Sequence, residues 1–317
     1  MSIKSITMMP PISLSLNCRA ISSAASILVL TALASWLVSD FAVLPLIGSK
    51  EFVAWLPTFL ESATVLYPRI AYPTYLVGAL LAQAKPTDVE LDATTWPKAD
   101  LAWVNSPSNP TGRVHSESEL RAAIDWSRKN KSVLVSDECY LEFGDTQTPT
   151  SILRYTDGDN TNILGVYSLS KRSSMAGYRA AFVVGDPQLI ARILEVRKHA
   201  GMMVSLPVQR AMVAALSDSK HVAEQRGRYN ARRARLVPAL VSAGFTIDHS
   251  DAGLYIWATR SESSWDSVAW LAALGILATP GIFYGQAGES HIRIALTATD
   301  QQIATAAERI LAKVSAP

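Results

Sequence analysis

Lys171 stands in the string SLSKR directly after an apolar run, with Ser168 and Ser170 before it, Arg172 beside it and Arg179 eight residues on. A lysine amine attacks carbonyl carbon once it has lost its proton, and hydroxyls grouped with guanidinium ions hold anions. A second apolar run ends in SDECY, so Asp137 and Tyr140 follow it closely. A carboxylate at the end of a buried strand is costly unless a cationic or protonated partner meets it. A third run leads into NSPSNPTG, where Asn109 precedes Pro110 and is kept out of the helical region, free to turn its amide inward. Taken singly, these residues have ordinary explanations: a turn, a helix cap, a solvated basic pair. Together they supply a nucleophilic amine, an acid, a neutral hydrogen-bonding amide and an anion cradle.

These groups need a scaffold that brings strand ends together. From residue 101 the chain alternates short apolar runs with amphipathic helical patterns, the signature of parallel βαβ units. LAWVN (101–105), SVLVS (132–136), NILGVYS (162–168) and AAFVVG (180–185) read as the strands. Between the first two, Ser116 and Glu119 form a capping box ahead of a helix that puts Leu120, Ala123, Ile124 and Ser127 on one face. Open α/β sheets bind ligands outside the carboxyl ends of their strands, where the residues above would lie. Upstream, if IGSKE opens a helix, the backbone of Gly48, Ser49 and Lys50 offers a further anion site. An Arg-rich helix from Lys220 to Ala243, ended by Gly244, begins a second unit, in which GLYIWAT, WDSVAWLAALG, ILATP and HIRIALT precede a C-terminal helix. The expected organisation is an atypical segment 1–40, a large mostly parallel α/β domain 41–218 and a smaller α/β domain 219–317.

The chain has 317 residues with 49% hydrophobic content, which suits two packed units and excludes intrinsic disorder. With 29 Lys and Arg against 27 Asp and Glu, a net charge of +2 gives no field that argues for nucleic acid, so the partner is expected to be a small molecule. Two cysteines, Cys18 and Cys139, exclude a disulfide framework or a four-cysteine zinc site and fit the cytosol. No metal site is expected. The uncharged stretch from Ala20 to Ser39 resembles a signal anchor, but its recurrent Ser and Thr favour a buried helix over membrane insertion.

NSPSNPTG, then DECY, then SLSKR with an Arg eight residues after the Lys resembles the pyridoxal-phosphate aminotransferases of fold type I, class I/II, over most of the chain from about residue 42. The resemblance implies pyridoxal 5'-phosphate as cofactor, with Lys171 as its Schiff-base lysine and proton shuttle and Asp137 paired to the ring nitrogen. It implies further that Asn109 and Tyr140 bond the phenolic oxygen, that Ser168, Ser170 and Arg179 hold the phosphate with the Gly48–Lys50 backbone, and that Tyr72 stacks on the ring. Arg293 in HIRIAL resembles the arginine that grips a substrate α-carboxylate, a task for which a guanidinium fork suits better than an ammonium. Family members act as homodimers, so a homodimer is expected. Residues 1–40 depart from the family pattern, and the family's early Gly segment has no counterpart there.

At a finer level, SDECYLEFGD, SLSKRSSMAGYRAAFVVGD and RKHAGMMVSLPVQ resemble the actinobacterial N-succinyldiaminopimelate aminotransferases of lysine synthesis. That substrate class implies glutamate as amino donor and a distal carboxylate fork, for which Arg172 is the first candidate, ahead of Lys198 and His199. The alternatives are a general or aromatic aminotransferase, a β-lyase of the same fold, and a cofactor-binding relative without turnover.

Overall fold

The computed structural model describes residues 41–315, so Cys18 and the apolar stretch from Ala20 to Ser39 lie outside it. Seven strands form the larger sheet: β1 (Ala42–Leu46), β2 (Thr64–Pro68), β3 (Lys85–Val89), β4 (Leu101–Asn105), β5 (Val133–Asp137), β6 (Ile163–Ser168) and β7 (Ala181–Gly185), in the order β1-β7-β6-β5-β4-β2-β3. The central strands are buried on both faces, which is why they read as unbroken apolar runs. Alternation still operates within them. Val104 and Leu134 face the helix α3 (Glu117–Asn130), whereas Trp103 and Val135 face α1 (Ser49–Phe59) and α2 (Thr74–Leu81).

Two expectations change, and two edge strands are added. SVLVS is shifted by one residue, so that Asp137 itself is the last residue of β5. The strand read from AAFVVG, now β7, runs antiparallel to both β6 and β1, because only a single-turn helix, α4 (Leu169–Arg172), and a 3₁₀ turn separate it from β6. A parallel return needs a longer crossover. Strands β1 and β3 carry Pro45 and Pro86, which lowered their sequence signal, and both occupy the sheet edges, where a missing ladder donor is tolerated.

The capping box at Ser116 forms as expected, with Ser116 and Glu119 bonding each other's backbone. Beyond β7 come α5 (Pro187–His199), α6 (Leu206–Leu216) and the long α7 (Lys220–Ser242). The second sheet, β8 (Thr246–Ile247), β9 (Tyr255–Thr259), β10 (Thr279–Pro280) and β11 (His291–Ala295), is antiparallel in the order β10-β11-β9-β8. Ile292 and Ile294 of β11 enter a core with α7, α8 (Ser264–Ala273) and α9 (Asp300–Ser315), so the intervening Arg293 faces the other way. That other side meets the larger sheet. Ser250 and Ala252 donate backbone hydrogen bonds to Thr111 and Gly112, and Tyr140, Phe143, Leu254 and Tyr255 form one buried cluster.

Candidate active site

The carboxyl ends of β4, β5 and β6 lie side by side, with Asn105 paired to Asp137 and Asp137 to Val166 in register. Asn105, which sequence reasoning passed over, organises this edge. Its amide donates to the carbonyls of Asp137 (2.9 Å) and Pro107 (3.1 Å) and its oxygen accepts from the Asn109 N–H at 2.8 Å. The Ser106–Pro107 and Asn109–Pro110 bonds are both cis.

Asp137 is buried, and its oxygens accept from the Tyr75 hydroxyl (2.9 Å) and the Cys139 N–H (3.2 Å). Both partners are neutral, so the expected cation is not supplied by the described residues. Burial raises the Asp137 pKa against the opposing pull of these two donors. Tyr75 is fully buried and stacks on Trp103 with ring centroids 5.1 Å apart. It too was missed, although its place three residues after Tyr72 on α2 was the available signal. Tyr72 meets Tyr75 edge-on at 5.9 Å.

Tyr140 lies with its hydroxyl 3.0 Å from that of Tyr255. Burial, and then the neighbouring Tyr255, hold the Tyr140 phenol far above its usual range, so it keeps its proton and can donate. Arg293 donates to Asn109 Oδ1 at 3.0 Å, with its guanidinium 4.0 Å from the Tyr255 ring centroid and 5.0 Å from that of Tyr284. It has no carboxylate partner among the described residues, and its Nε is buried without a hydrogen bond. Lying between β10 and β9, the strand carrying it is not an edge.

Lys171 is exposed on α4, with Ser168 capping that turn through the Ser170 N–H at 3.2 Å. Opposite, α1 begins at Gly48, whose φ of 101° is left-handed and whose missing Cβ leaves room for the Arg179 guanidinium. No side chain caps α1, so its first N–H groups are free to bind an anion. Glu51 in that first turn would oppose an anion, but both its oxygens are taken by the fully buried Arg197 at 2.7 and 2.9 Å. Ser49 accepts from the Cys139 thiol at 3.3 Å, linking the helix start to the Asp137 loop. The Lys50 amine lies over the Tyr72 ring, 5.6 Å from its centroid.

Arg172 is the clear departure. It is 4% exposed, its Nε lies 2.6 Å from Glu142, and its terminal nitrogens reach Ser173 and the carbonyls of Ala215 and Asp218. With every face committed, it cannot serve as the expected distal fork. Lys198 pairs with Glu195 on the surface, and His199 is an exposed residue at the end of α5.

The α/β architecture with a lysine, an aspartate and a phosphate-ready helix start on one rim defines a fold type I enzyme class. The chain belongs to the class I and II aminotransferase family, enzymes that use pyridoxal 5'-phosphate, and the family model matches residues 25–310. It is 54% identical over 278 residues to a probable aminotransferase of Mycobacterium tuberculosis, a match covering 86% of this chain and 66% of that protein. It is 51% identical over 293 residues to the 4-dedimethylamino-4-oxo-anhydrotetracycline transaminase of Streptomyces rimosus, covering 88% of this chain and 81% of that one. A probable N-succinyldiaminopimelate aminotransferase from Thermus thermophilus superposes with a TM-score of 0.81 at 25% identity, over 96% of this chain and 92% of that one.

The residues present fit the cofactor. The uncapped helix start and Arg179, whose guanidinium takes the room left at Gly48, suit a phosphate, and the neutral donors around Asp137 leave its charge for a protonated ring nitrogen. No cluster of potential metal ligands occurs among the described residues.

Proposed function

We propose that this chain transfers an amino group between an amino acid and a keto or aldehyde acceptor, with Lys171 as the residue that holds the cofactor and moves the proton. The observation that carries the reading is the 3.0 Å bond from Arg293 to Asn109, which brings an arginine without a carboxylate to the strand ends bearing Asp137. When bound, pyridoxal phosphate supplies the electron sink for α-proton removal. The chain's own groups do the rest. Asp137 would keep the ring nitrogen protonated, and a cation there would offset the burial that raises the Asp137 pKa. Tyr75 and the Cys139 N–H orient its carboxylate. Tyr140 and Asn109 would bond the phenolic oxygen, Tyr72 would cover the ring, and Ser168, Ser170, Arg179 and the backbone of Gly48, Ser49 and Lys50 would take the phosphate. Arg293, held between two tyrosine rings, presents its fork to the substrate α-carboxylate.

We also propose a homodimer in the cytosol. Supporting the dimer, α2 exposes Leu76, Val77, Leu80 and Leu81 next to Trp55 of α1, an apolar surface that suits a second copy. N-succinyldiaminopimelate as substrate draws support from the Thermus thermophilus neighbour, with glutamate as donor, but Arg172 gives it no distal fork. The test is borohydride reduction of the holoenzyme and peptide mapping. The cofactor is expected on Lys171, and Lys171→Ala should fold yet lose transamination by at least about a thousandfold. Labelling of another lysine would overturn the assignment.

A further inference from the structure

A cleft of ≈ 570 Å³ opens between the β2–α2 connection and the turns at Gly281–Gly288. Tyr67, Tyr72 and Leu76 line one side, and Phe283 and Tyr284 the other. The Ala71 N–H donates to the Tyr284 carbonyl at 2.8 Å, tying the two walls together. The cleft borders the site through two of its lining residues. Tyr72 packs on Tyr75, which binds Asp137, and Tyr284 packs under Arg293. A substrate gripped by Arg293 would lie against Tyr284, whose ring also lines this cleft, so the cleft is the space nearest to hand for its side chain.

The charge of the cleft restricts that side chain. Arg69 is the one cation that lines it among the described residues, and its guanidinium already meets Asp88 at 3.2 Å and Glu90 at 2.5 Å. The lining itself balances Arg69 against Asp88, and Glu90 outside it takes a second nitrogen of the same guanidinium, so Arg69 is already committed. A substrate carboxylate recruited to Arg69 would put three anions around one cation, and Arg172 is sequestered elsewhere. The Lys50 amine lies over the Tyr72 ring and does not line the cleft. The apolar side is better provided. Phe283 is 56% exposed and packs edge-on against the equally open Trp265 at 5.7 Å, extending the aromatic surface outward. Exposed aromatic faces of this kind gain most from a flat, ring-bearing partner.

We infer that the cleft receives an aromatic or polycyclic, carboxylate-free side chain, so that the enzyme prefers ring-bearing substrates over those with a distal carboxylate. This rests on the transamination reading for the placement of the α-carboxylate at Arg293. The volume lies within the range of small-molecule sites and exceeds what a short aliphatic side chain fills.

The experiment follows the absorbance of holoenzyme mixed with L-tryptophan, L-2-aminopimelate or L-alanine, in the wild type, Phe283→Ala and Asp88→Asn. Tryptophan should exceed aminopimelate by about tenfold or more in kcat/KM. Phe283→Ala should lower tryptophan by about tenfold while leaving alanine within about twofold, and Asp88→Asn should raise aminopimelate alone. Aminopimelate outperforming tryptophan in the wild type would overturn the inference, as would a Phe283→Ala loss equal for all three. Binding of the unreactive acids indole-3-propionate and pimelate, measured by calorimetry, separates the two readings. If no amino acid reacts but indole-3-propionate binds the wild type and not Phe283→Ala, the cleft stands and transamination falls. Tighter binding of pimelate than of indole-3-propionate overturns the cleft itself.

Discussion

Arg172 and Arg293 are both near the candidate site in sequence pattern, yet their surroundings are opposite. Arg172 sits at the end of α4 with Glu142 against its Nε and three further acceptors on its terminal nitrogens. Arg293 meets two tyrosine rings and one amide oxygen, with no carboxylate. The first guanidinium is neutralised from within and serves the fold. The second keeps its charge available at a modest cost, because tyrosine faces and an amide stabilise a cation without cancelling it. An arginine in the interior is thus free to meet an outside anion only where the protein has withheld its counter-ion. Tyr167 makes the same point from the other side: its hydroxyl donates to Glu142 at 2.6 Å, so that carboxylate is shared within the interior network.

The contrast can be broken by removing each charge in turn. Arg172→Ala leaves Glu142 without its cation and is expected to destabilise the protein by about 3–5 kcal/mol in denaturant unfolding. The same variant should leave the KM for substrates with a distal carboxylate unchanged relative to others, and a selective rise would return Arg172 to the site. Glu138 tests what a buried carboxylate costs with no arginine at hand. Burial pushes its pKa from 4.5 up to about 7, against the opposing Ile152 N–H bond at 2.8 Å. The folded protein therefore holds a proton that the unfolded chain has released, so stability falls as pH rises from about 4.5 to about 7 and the loss is complete above that. Its size is on the order of 3 kcal/mol, and Glu138→Gln should flatten the pH dependence of thermal unfolding in that window.

Arg293→Lys keeps the charge but loses the fork, and should raise KM for every substrate about tenfold or more with a smaller effect on stability. An unchanged KM would remove Arg293 from carboxylate binding. The smallest effect belongs to Tyr75→Phe, which removes one of two donors to Asp137. It should cost about 1–3 kcal/mol in the apoprotein and less in the holoenzyme, where the ring nitrogen offers the carboxylate another partner. Equal losses in both forms would show that Asp137 does not face the cofactor.

Much of this arrangement was legible in the residues alone. Strands β4 to β7 stood out because burial on both faces demands unbroken apolar runs, and the polar groups following them could be placed on one edge from βαβ geometry. The Ser116 capping box and the alternation that turns Arg293 away from Ile292 and Ile294 are equally local. Pairings between distant segments were not legible. Tyr75 is 62 residues from Asp137, and Asn109 is 184 from Arg293. Nothing local marks which tyrosine meets which carboxylate. Arg172 shows the limit most plainly, since an arginine beside a candidate lysine reads the same whether Glu142 turns toward it or away. The side-chain types available at the strand ends follow from the sequence. Which charges are cancelled and which are offered is decided by tertiary packing, because Coulomb interaction depends on distances and burial that the chain acquires only when its sheets and helices close on one another.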